Sequence, residues 1–335
     1  METQLKFSLF LTSLIVFSCL LSYSSSAELC DPKDKTALLQ IKNRLGPNTT
    51  FFESWQPNTD CCKSWINVGC DDKTNRVKIL TIGQNNELEG QIPPVVGDLI
   101  GLEQLWFNDM PGLTGPIPTS LSNLINLQEL ALARTNITGS IPPFLGRLKK
   151  LTTLDLSENR LSGPIPPSLS LLTNLQQLLL FKNQLIGSIP ASFGSFKSLV
   201  LIQAYENLLT GPIPNSLSKV DLTWLDLSNN NLTGDASFLF GSNQKLILLN
   251  LSKNALSFDL SKVVFPKKLQ GLDLSHNMIY GSLPKQLAQL PLELFNVSYN
   301  QLCGPIPTGN WLNKFKADSF AFNKCLCGGP LAACT

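Results

Sequence analysis

Few residues in this sequence could do catalytic or metal chemistry. His276 is the only histidine among 335 residues, which excludes HExxH zinc sites and other centres built on several histidines. A serine–histidine pair would have to use that one imidazole, which precedes a repeated asparagine and is expected at a surface edge. The sequence also lacks the Gly-Lys dipeptide of a phosphate-binding loop and any CxxC pair. We therefore predict a protein that is not an enzyme and that needs no metal or cofactor.

The nine cysteines could do a different chemistry, the formation of disulfides. Cys19 lies in an apolar N-terminal stretch, and the other eight form one cluster near each end of the chain. In a secreted protein such clusters indicate disulfides rather than metal ligands, and their separation restricts the bridges to each end. The pairs we predict are Cys30–Cys61, Cys62–Cys70, Cys303–Cys325 and Cys327–Cys334.

Charge and the N-terminus narrow the class of protein further. The formal net charge is +2 and only 15% of residues are charged, which argues against a nucleic-acid binder. Residues 7–21 are almost continuously apolar and are followed by small residues up to Ala27. We predict a signal peptide over residues 1–27, because this stretch is too short for an ordinary membrane span. The alternative is a short anchor helix.

A repeat organises the residues between the two cysteine clusters. The string L..L.L..N.L.G.IP recurs, and five of its glycines are each 24 residues apart: Gly115, Gly139, Gly163, Gly187 and Gly211. Such a period indicates stacked structural repeats. Ten copies are marked by the first apolar residue of each Leu-x-Leu: Leu80, Leu105, Leu130, Leu154, Leu178, Ile202, Leu225, Leu249, Leu272 and Phe295.

Each copy predicts the same local structure. Leu-x-Leu alternates with a period of two, so it predicts a short strand with its leucines inward. The repeated asparagine is expected to bond the backbone of the turns above and below it, with Met110 and Thr135 replacing it in two early repeats. Glycine permits a sharp turn, and the Ile-Pro pair predicts an extended segment on the back face.

One repeat cannot bury its own leucines, so the copies must stack into a solenoid with a cap at each end. We predict an N-terminal cap over residues 28–76, ten repeats over 77–302 and a C-terminal cap over 303–335. The N-terminal cap should contain a helix that starts at Asp31-Pro32 and ends at Gly46, with Trp55 and Trp65 packed beside it.

The chain resembles a known family. SGPIPPSLSLLTNLQQL and TGPIPNSL match the plant-specific leucine-rich repeat, and DKTALLQIK, CC.SW..V.C, GDASFLFG and FNVSYNQLCGPIP are similar to polygalacturonase-inhibiting proteins. The resemblance implies an α/β leucine-rich-repeat solenoid with a concave parallel sheet. It further implies a secreted, monomeric cell-wall defence protein that binds fungal endopolygalacturonases. Pectin is a further partner that scattered basic residues could touch.

In that family the contact surface is the concave sheet, at the outward positions of xxLxLxx. The outward positions expected here number roughly thirty, which suits a protein interface; they include third positions such as Ser157 and Ser228. The predicted contact residues are Gln104, Trp106, Thr153, Asp155, Gln177, Leu179, Phe181, Gln203, Tyr205, Trp224 and Asp226. Exposed aromatic residues are typical interface anchors, although these could instead stack on each other.

Asp155 and Asp226 match acidic positions of the family, but Phe181 stands where an acidic residue can occur in the fifth repeat, and Lys182 follows it. Five sequons predict N-glycosylation, at Asn48, Asn136, Asn231, Asn250 and Asn296. Asn136 and Asn231 are expected in exposed turns, and Asn250 and Asn296 on the concave face.

Two other functions share these features. An ice-binding protein would need a flat, regular array of one small polar residue, and the mixed concave face does not predict one. A soluble signalling or co-receptor partner would use the same face and caps.

Overall fold

The structure is a computed structural model that describes residues 29–309 and 311–334. The predicted signal peptide, residues 1–27, lies outside the described residues. Within the part of the chain that is described, no helix is both long and apolar enough to cross a membrane.

The N-terminal cap begins with helix α1, Pro32–Leu45. The Asp31 carboxylate accepts hydrogen bonds from the backbone N–H groups of Lys33 and Asp34, which fixes the first turn, and Gly46 ends the helix as expected. The buried face of α1 consists of Asp34, Ala37, Leu38, Ile41 and Leu45. A short second helix, α2, spans Cys61–Ser64.

The concave face is one sheet of eleven strands, numbered along the chain together with those of the back face. Strand β1, Val68–Cys70, pairs antiparallel with β2, and every later pair is parallel. Strands β2 to β20 of this sheet are β2 Val77–Gly83, β4 Gln104–Asn108, β6 Glu129–Ala131, β8 Thr153–Asp155, β10 Gln177–Leu179, β12 Leu201–Gln203, β14 Trp224–Asp226, β16 Leu248–Asn250, β18 Gly271–Asp273 and β20 Leu294–Asn296. The predicted first apolar residues face one another in every parallel pair, from Leu80 opposite Leu105 to Leu272 opposite Phe295. The ten predicted strands are therefore confirmed.

The back of each turn differs from the prediction, because the segment around Gly-x-Ile-Pro is paired into a second sheet. Eight of its strands are β3 Glu89–Gln91, β5 Met110–Gly115, β7 Thr135–Ser140, β9 Arg160–Pro164, β11 Gln184–Gly187, β13 Leu208–Pro212, β15 Asn231–Gly234 and β17 Ala255–Leu256. A separate three-stranded sheet follows, with β19 Tyr280–Gly281, β21 Gln301–Pro305 and β22 Cys325–Cys327. The interruption falls at the repeat of Phe258, which has lost the Gly-x-Ile-Pro ending.

The extended segment ends at the proline, and 3₁₀ helices form the convex side. Proline caps or begins these helices, where its fixed φ suits the first turn. The regular ones span Pro94–Asp98, Thr119–Asn123, Pro143–Arg147, Pro167–Leu171, Ala191–Ser195, Asn215–Lys219 and Lys285–Gln289. Shorter ones span Thr50–Phe52, Ser237–Leu239, Leu260–Lys262, Leu312–Lys314 and Ala317–Ser319.

The repeated asparagines bond neighbouring turns in one direction. Asn207 Nδ2 donates to the carbonyls of Leu180, in the preceding turn, and of Ala204 and Tyr205 in its own turn, at 3.0–3.3 Å. Its Oδ1 accepts from the backbone N–H of Leu185, also in the preceding turn. Each asparagine therefore joins its own turn to the one before it, rather than the turns above and below.

The asparagine ladder is longer than the sequence indicated. Asn323 donates to the carbonyls of Val297, Phe320 and Ala321, so an eleventh turn lies inside the segment expected to be the cap. At the other end, the buried Thr135 hydroxyl donates to Asn159 Oδ1. Threonine therefore takes part in the ladder there.

Disulfides close both ends of the solenoid. The structure joins the four pairs expected from the cysteine clusters: Cys30–Cys61, Cys62–Cys70, Cys303–Cys325 and Cys327–Cys334. Trp55 and Trp65 are buried in the N-terminal cap, and their rings stack with centroids 5.2 Å apart. The caps thus cover the apolar interior that the stacked leucines leave open.

We predict that Asn207→Ala lowers the free energy of unfolding by about 2 kcal/mol, because it leaves the buried N–H of Leu185 without its acceptor and removes one donor from each of three carbonyls that keep another. Urea denaturation measures the loss. The matched control is Asn215→Ala, an exposed asparagine on the convex side, which should change stability by less than about 0.5 kcal/mol. Equal effects of the two substitutions would contradict the role of the ladder.

Candidate functional site

The predicted contact residues lie on the concave sheet and just beyond its strand ends. In each strand a first outward position precedes the inward leucine and a second outward position follows it. The first column contains Gln104, Thr153, Gln177 and Trp224, and the second contains Trp106, Asp155, Leu179, Gln203 and Asp226. These positions stay in register, since Gln177 lies opposite Thr153 and Asp226 lies opposite Gln203. The register brings the predicted residues of β8 to β14 onto one continuous surface.

Aromatic side chains flank the centre of this surface. Phe181 and Tyr205, two residues beyond β10 and β12, stack with centroids 4.6 Å apart and planes 6° apart. Trp224 stands in the first column and keeps 37% of its surface exposed. The two aromatic sides are four residues apart along a strand, or about 13 Å, with Gln203 and Asp226 between them. The alternative in which the aromatics stack on each other is thus realised for one pair, while Trp224 stands apart from it.

The third position of most strands is not available to a partner, contrary to expectation. Ser157 and Ser228 are buried. Asp155 Oδ1 accepts from the backbone N–H and the hydroxyl of Ser157, and Asp226 Oδ1 accepts from Ser228 in the same way. Ala133 and Ser275 are buried at the same position without a bond from a hydroxyl, so strand alternation does not hold beyond the strand end. Phe181 and Tyr205 also occupy this position, and their stacked rings stay partly exposed.

Asp226 serves the fold as well as the surface. Its Oδ1 accepts from Ser228 Oγ at 2.6 Å and its Oδ2 from Asn250 Nδ2 at 3.2 Å. Burial raises the pKa of the Asp226 carboxyl above its ordinary value, while the bonds from Ser228 and Asn250 oppose that rise. The carboxylate is therefore a partly desolvated acceptor held in one orientation, which suits a directed contact with a donor on a partner.

A row of residues with left-handed backbone follows the third position, and sequence reasoning missed it. One residue before each ladder position has a φ of 52–58°, and we call this row the ridge: Asp109, Arg134, Glu158, Lys182, Glu206, Asn229, Lys253, His276, Tyr299 and Phe322. These residues differ in type and share only their position directly before the repeated asparagine or its replacement. That position was the signal that could have revealed the row in the sequence. The ridge forms the rim of the concave sheet.

The ridge differs along its length. Arg134 pairs with Asp109, and Lys182 with Glu158 at 3.1 Å. The Glu158 hydrogen bond and charge raise the pKa of Lys182, so its charge is retained but already compensated. His276 is exposed at the edge, as expected, and its ring stacks on Tyr299.

Two groups of residues make contacts within the protein itself. The Sγ atoms of Cys30, Cys61 and Cys62 lie within 4.8 Å of one another, which the two disulfides of the N-terminal cap explain. Lys149 and Lys150 donate to neighbouring protein oxygens, among them the carbonyls of Gly146 and Leu171 and the amide of Asn126.

The five sequons lie in different surroundings. Asn48 and Asn231 are exposed, and Asn136 is partly buried with its Nδ2 donating to the Pro111 carbonyl. Asn136 and Asn231 lie in strands β7 and β15 of the second sheet, so the expectation that both occupy turns is wrong. Asn250 and Asn296 lie at outward positions of β16 and β20, on the concave sheet.

The concave sheet forms no regular array of one small polar residue, whereas the second sheet has threonine or serine directly before the turn glycine in five of six successive repeats, at Thr114, Thr138, Ser162, Thr210 and Thr233. The concave columns mix tryptophan, aspartate, glutamine and leucine. Ile186 interrupts this row of hydroxyl residues in the second sheet.

Comparison with known proteins agrees with this architecture. The chain matches a leucine-rich repeat N-terminal domain at residues 31–71, two copies of leucine-rich repeats at 125–170 and single leucine-rich repeats at 174–196, 221–243 and 268–290. Polygalacturonase inhibitor 1 of Arabidopsis thaliana is 49% identical over 92% of this chain and 94% of its own, and polygalacturonase inhibitor 2 of the same plant is 47% identical over 96% and 97%. The match to the Pyrus communis polygalacturonase inhibitor, 49% identical, spans only 39% of each chain.

Solved structures with this fold include proteins that are not named as polygalacturonase inhibitors. A plant ice-binding protein is 48% identical, with a TM-score of 0.89 over 91% of this chain and 98% of its own. The ectodomain of the Arabidopsis thaliana receptor kinase GASSHO1/SCHENGEN3, in complex with CASPARIAN STRIP INTEGRITY FACTOR 2, is 33% identical, with a TM-score of 0.74 over 82% of this chain and 33% of its own.

We predict that Asp226 titrates above the ordinary range of aspartate and that Ser228→Ala raises its pKa further, because two bonds to the ionised form are weakened or lost. Carboxyl ¹³C NMR of Asp226 as a function of pH measures both. Since the folded-state pKa is raised, the stability that this group contributes is largest below the unfolded pKa and is lost as pH rises through the folded one.

The control is Ser216→Ala, whose hydroxyl donates to the Ala191 carbonyl on the convex side at 2.6 Å. It should leave the Asp226 midpoint unchanged. An Asp226 midpoint at or below the ordinary value, or equal effects of both serine variants, would contradict the proposed environment.

Proposed function

The chain belongs to the leucine-rich-repeat family of polygalacturonase inhibitors, and from this premise we propose that it is secreted and inhibits fungal endopolygalacturonases by binding them on its concave sheet. One observation supports this beyond the family. The exposed Trp224 and the partly exposed Phe181–Tyr205 pair stand on the two sides of Gln203 and Asp226, at the centre of the sheet. Aromatic anchors around a polar floor are characteristic of the energetic centre of protein interfaces.

The size of the sheet favours a protein over a small molecule as the partner. Ten parallel strands about 4.8 Å apart give a surface roughly 45 Å long, which matches the side of a standard protein interface. The proposed mechanism is occlusion, in which the bound inhibitor covers the approach to the enzyme's substrate cleft. Such a mechanism needs affinity and shape, and it needs no catalytic group on the inhibitor.

The electrostatics favour a donor-rich partner near Asp226. This carboxylate is oriented by Ser228 and Asn250, so a partner's lysine or arginine meets an acceptor that is already ordered. Phe181 stands where relatives can carry an acidic residue, and the charge of Lys182, which follows it, is offset by its pairing with Glu158. We therefore propose a range of enzymes that differs from that of inhibitors with an acidic residue at Phe181.

The basic residues that could touch pectin are largely committed to the protein itself. Arg134 is paired with Asp109, and Lys149 and Lys150 donate to protein oxygens. The proposed partner is therefore the enzyme, bound by one copy of this chain, rather than its polysaccharide substrate.

Ice binding is the second candidate, because the solved plant ice-binding protein is 48% identical over most of the chain. Its test is thermal hysteresis of the secreted protein. Clear hysteresis together with no inhibition of any polygalacturonase would replace the proposed function.

We predict that Trp224→Ala and Tyr205→Ala each weaken inhibition at least about tenfold, because each removes an anchor from the centre of the interface. A reducing-sugar assay with a panel of fungal endopolygalacturonases, alone and with each variant, measures the loss. The matched control is Ile125→Ala, which removes an apolar side chain that is 65% exposed outside the concave face and should leave inhibition unchanged.

The role of the charge is tested separately by Asp226→Asn. Asn250 makes the same bonds to Ser252 that Asp226 makes to Ser228, so asparagine keeps the Ser228 bonds, removes the charge and loses the bond from Asn250 Nδ2. We expect weaker inhibition with a Tm changed by no more than about 2 °C. No inhibition by the unmodified protein across the panel would refute the function, and unchanged inhibition by all three variants would move the interface elsewhere.

A further inference from the structure

Three aromatic rings lie exposed on the ridge near the C-terminal end of the concave sheet. His276 stacks on Tyr299 with centroids 4.1 Å apart, and Tyr299 stacks on Phe322 at 4.3 Å. Tyr299 keeps 44% of its surface exposed and Phe322 keeps 68%. On the same strand as Asn296, Leu294 is 52% exposed. These residues form an apolar patch that the proposed enzyme contact, centred on β10 to β14, does not use.

The patch combines two unfavourable features. Tyr299 and Phe322 have φ values of 54° and 58°, a backbone region that bulky side chains rarely adopt and that asparagine tolerates far better. Their rings are also exposed to water, which disfavours large apolar surfaces. At the same ridge position the chain elsewhere carries Asn229, with a φ of 52°. Strain and exposure together at one place indicate a surface that something covers.

Asn296 lies beside this patch and is a candidate attachment site for an N-linked glycan that could cover it. It is the first residue of the sequon Asn296-Val297-Ser298 and occupies an outward position of β20. Its Oδ1 accepts from the backbone N–H of Ser298 at 3.1 Å and from the Ser298 hydroxyl at 2.8 Å. These bonds hold the side chain toward the strand end, where Tyr299 follows. Among the described residues, no group accepts a hydrogen bond from Asn296 Nδ2.

The equivalent sequon two strands earlier, at Asn250, differs in the hydrogen bonds of the amide nitrogen to which a sugar would be attached. Asn250 also bonds its serine through Oδ1, but its Nδ2 donates to Asp226 Oδ2 and to Ser228 Oγ, both at 3.2 Å. Attachment of a sugar removes one of the two Nδ2 hydrogens, so it would break one of these bonds and disturb the position of Asp226. The ridge residue that follows Asn250 is Lys253, so no aromatic ring lies there for a glycan to cover.

We propose that Asn296 carries an N-linked glycan whose inner sugars lie on the His276–Tyr299–Phe322 stack, and that Asn250 carries none. In the transfer step, the Asn296 Nδ2–C1 sugar bond forms while the C1–O bond to the diphosphate of a lipid-linked oligosaccharide breaks, and Nδ2 loses one proton. The proposal rests on the proposed secretion of the chain, since the donor is found in the secretory pathway. The glycan would close the C-terminal end of the concave sheet and confine the enzyme contact to the earlier strands.

Glycopeptide mass spectrometry of the protein secreted from plant cells tests the attachment. We expect a glycan on the peptide that contains Asn296 and an unmodified peptide at Asn250, with the exposed Asn231 as the reference site. An unmodified Asn296, or Asn250 modified to the same extent, would overturn the proposal. The assay does not depend on inhibition, so its failure is distinguishable from a failure of the proposed function.

A double-mutant cycle tests the contact between the glycan and the rings. We expect Asn296→Gln to lower the Tm by about 1–2 °C in the otherwise unchanged chain and to have no effect in a chain carrying Tyr299→Asn and Phe322→Asn. Asparagine is used because Asn229 already occupies a ridge position, so the background should fold, and neither change creates a sequon. Equal Tm shifts in both backgrounds would show that the glycan does not rest on the rings.

Discussion

The asparagine side chains that join each turn to the preceding one are the constraint on which the rest of this structure depends. A solenoid interior filled with leucine offers no water to the backbone groups of its turns, so each turn must satisfy them internally. Asn183 does this with three donated bonds and one accepted bond, and the same pattern recurs up to Asn323 in the last turn. Because the ladder fixes where each turn bends, it also fixes the row of ridge residues that precede it and the outward columns of the concave sheet.

The concave surface is determined by a second set of local bonds at the strand ends. Where an Asp or Asn of the second column accepts a hydrogen bond from the hydroxyl of a serine two residues later, the serine is buried and no side chain projects from the sheet. Where Phe181 and Tyr205 replace that serine, rings project instead. The aromatic centre of the proposed interface is thus an interruption of a structural motif, and Asp226 belongs to both the motif and the interface. A binding residue with two roles limits which substitutions can report on binding alone.

Periodicity alone predicted the parts of the fold that depend on inward leucines. The ten strands from Leu80 to Phe295 follow from a period of two within a period of about 24 residues, and the structure has them in register. The second sheet and the 3₁₀ helices could not be derived in this way, because Gly-x-Ile-Pro has the same local signature whether or not its strands pair. Alternation also failed at Ser157 and Ser228, because this position lies beyond the end of the strand and is buried even where no hydroxyl bond forms, as at Ala133. The stack of His276, Tyr299 and Phe322 could not be predicted from the sequence, because the left-handed ridge that aligns the three rings had not been recognised.

Oxidative footprinting of the complex with an inhibited endopolygalacturonase tests the central claim most directly, because it reports the solvent exposure of individual side chains. Trp311 in the C-terminal cap, which is also exposed, serves as the internal reference. Our account predicts that complex formation protects Trp224, Phe181 and Tyr205 and leaves the labelling of Trp311 unchanged. Protection of convex residues, with Trp224 and Tyr205 labelled as in the free protein, would contradict inhibition through the concave sheet.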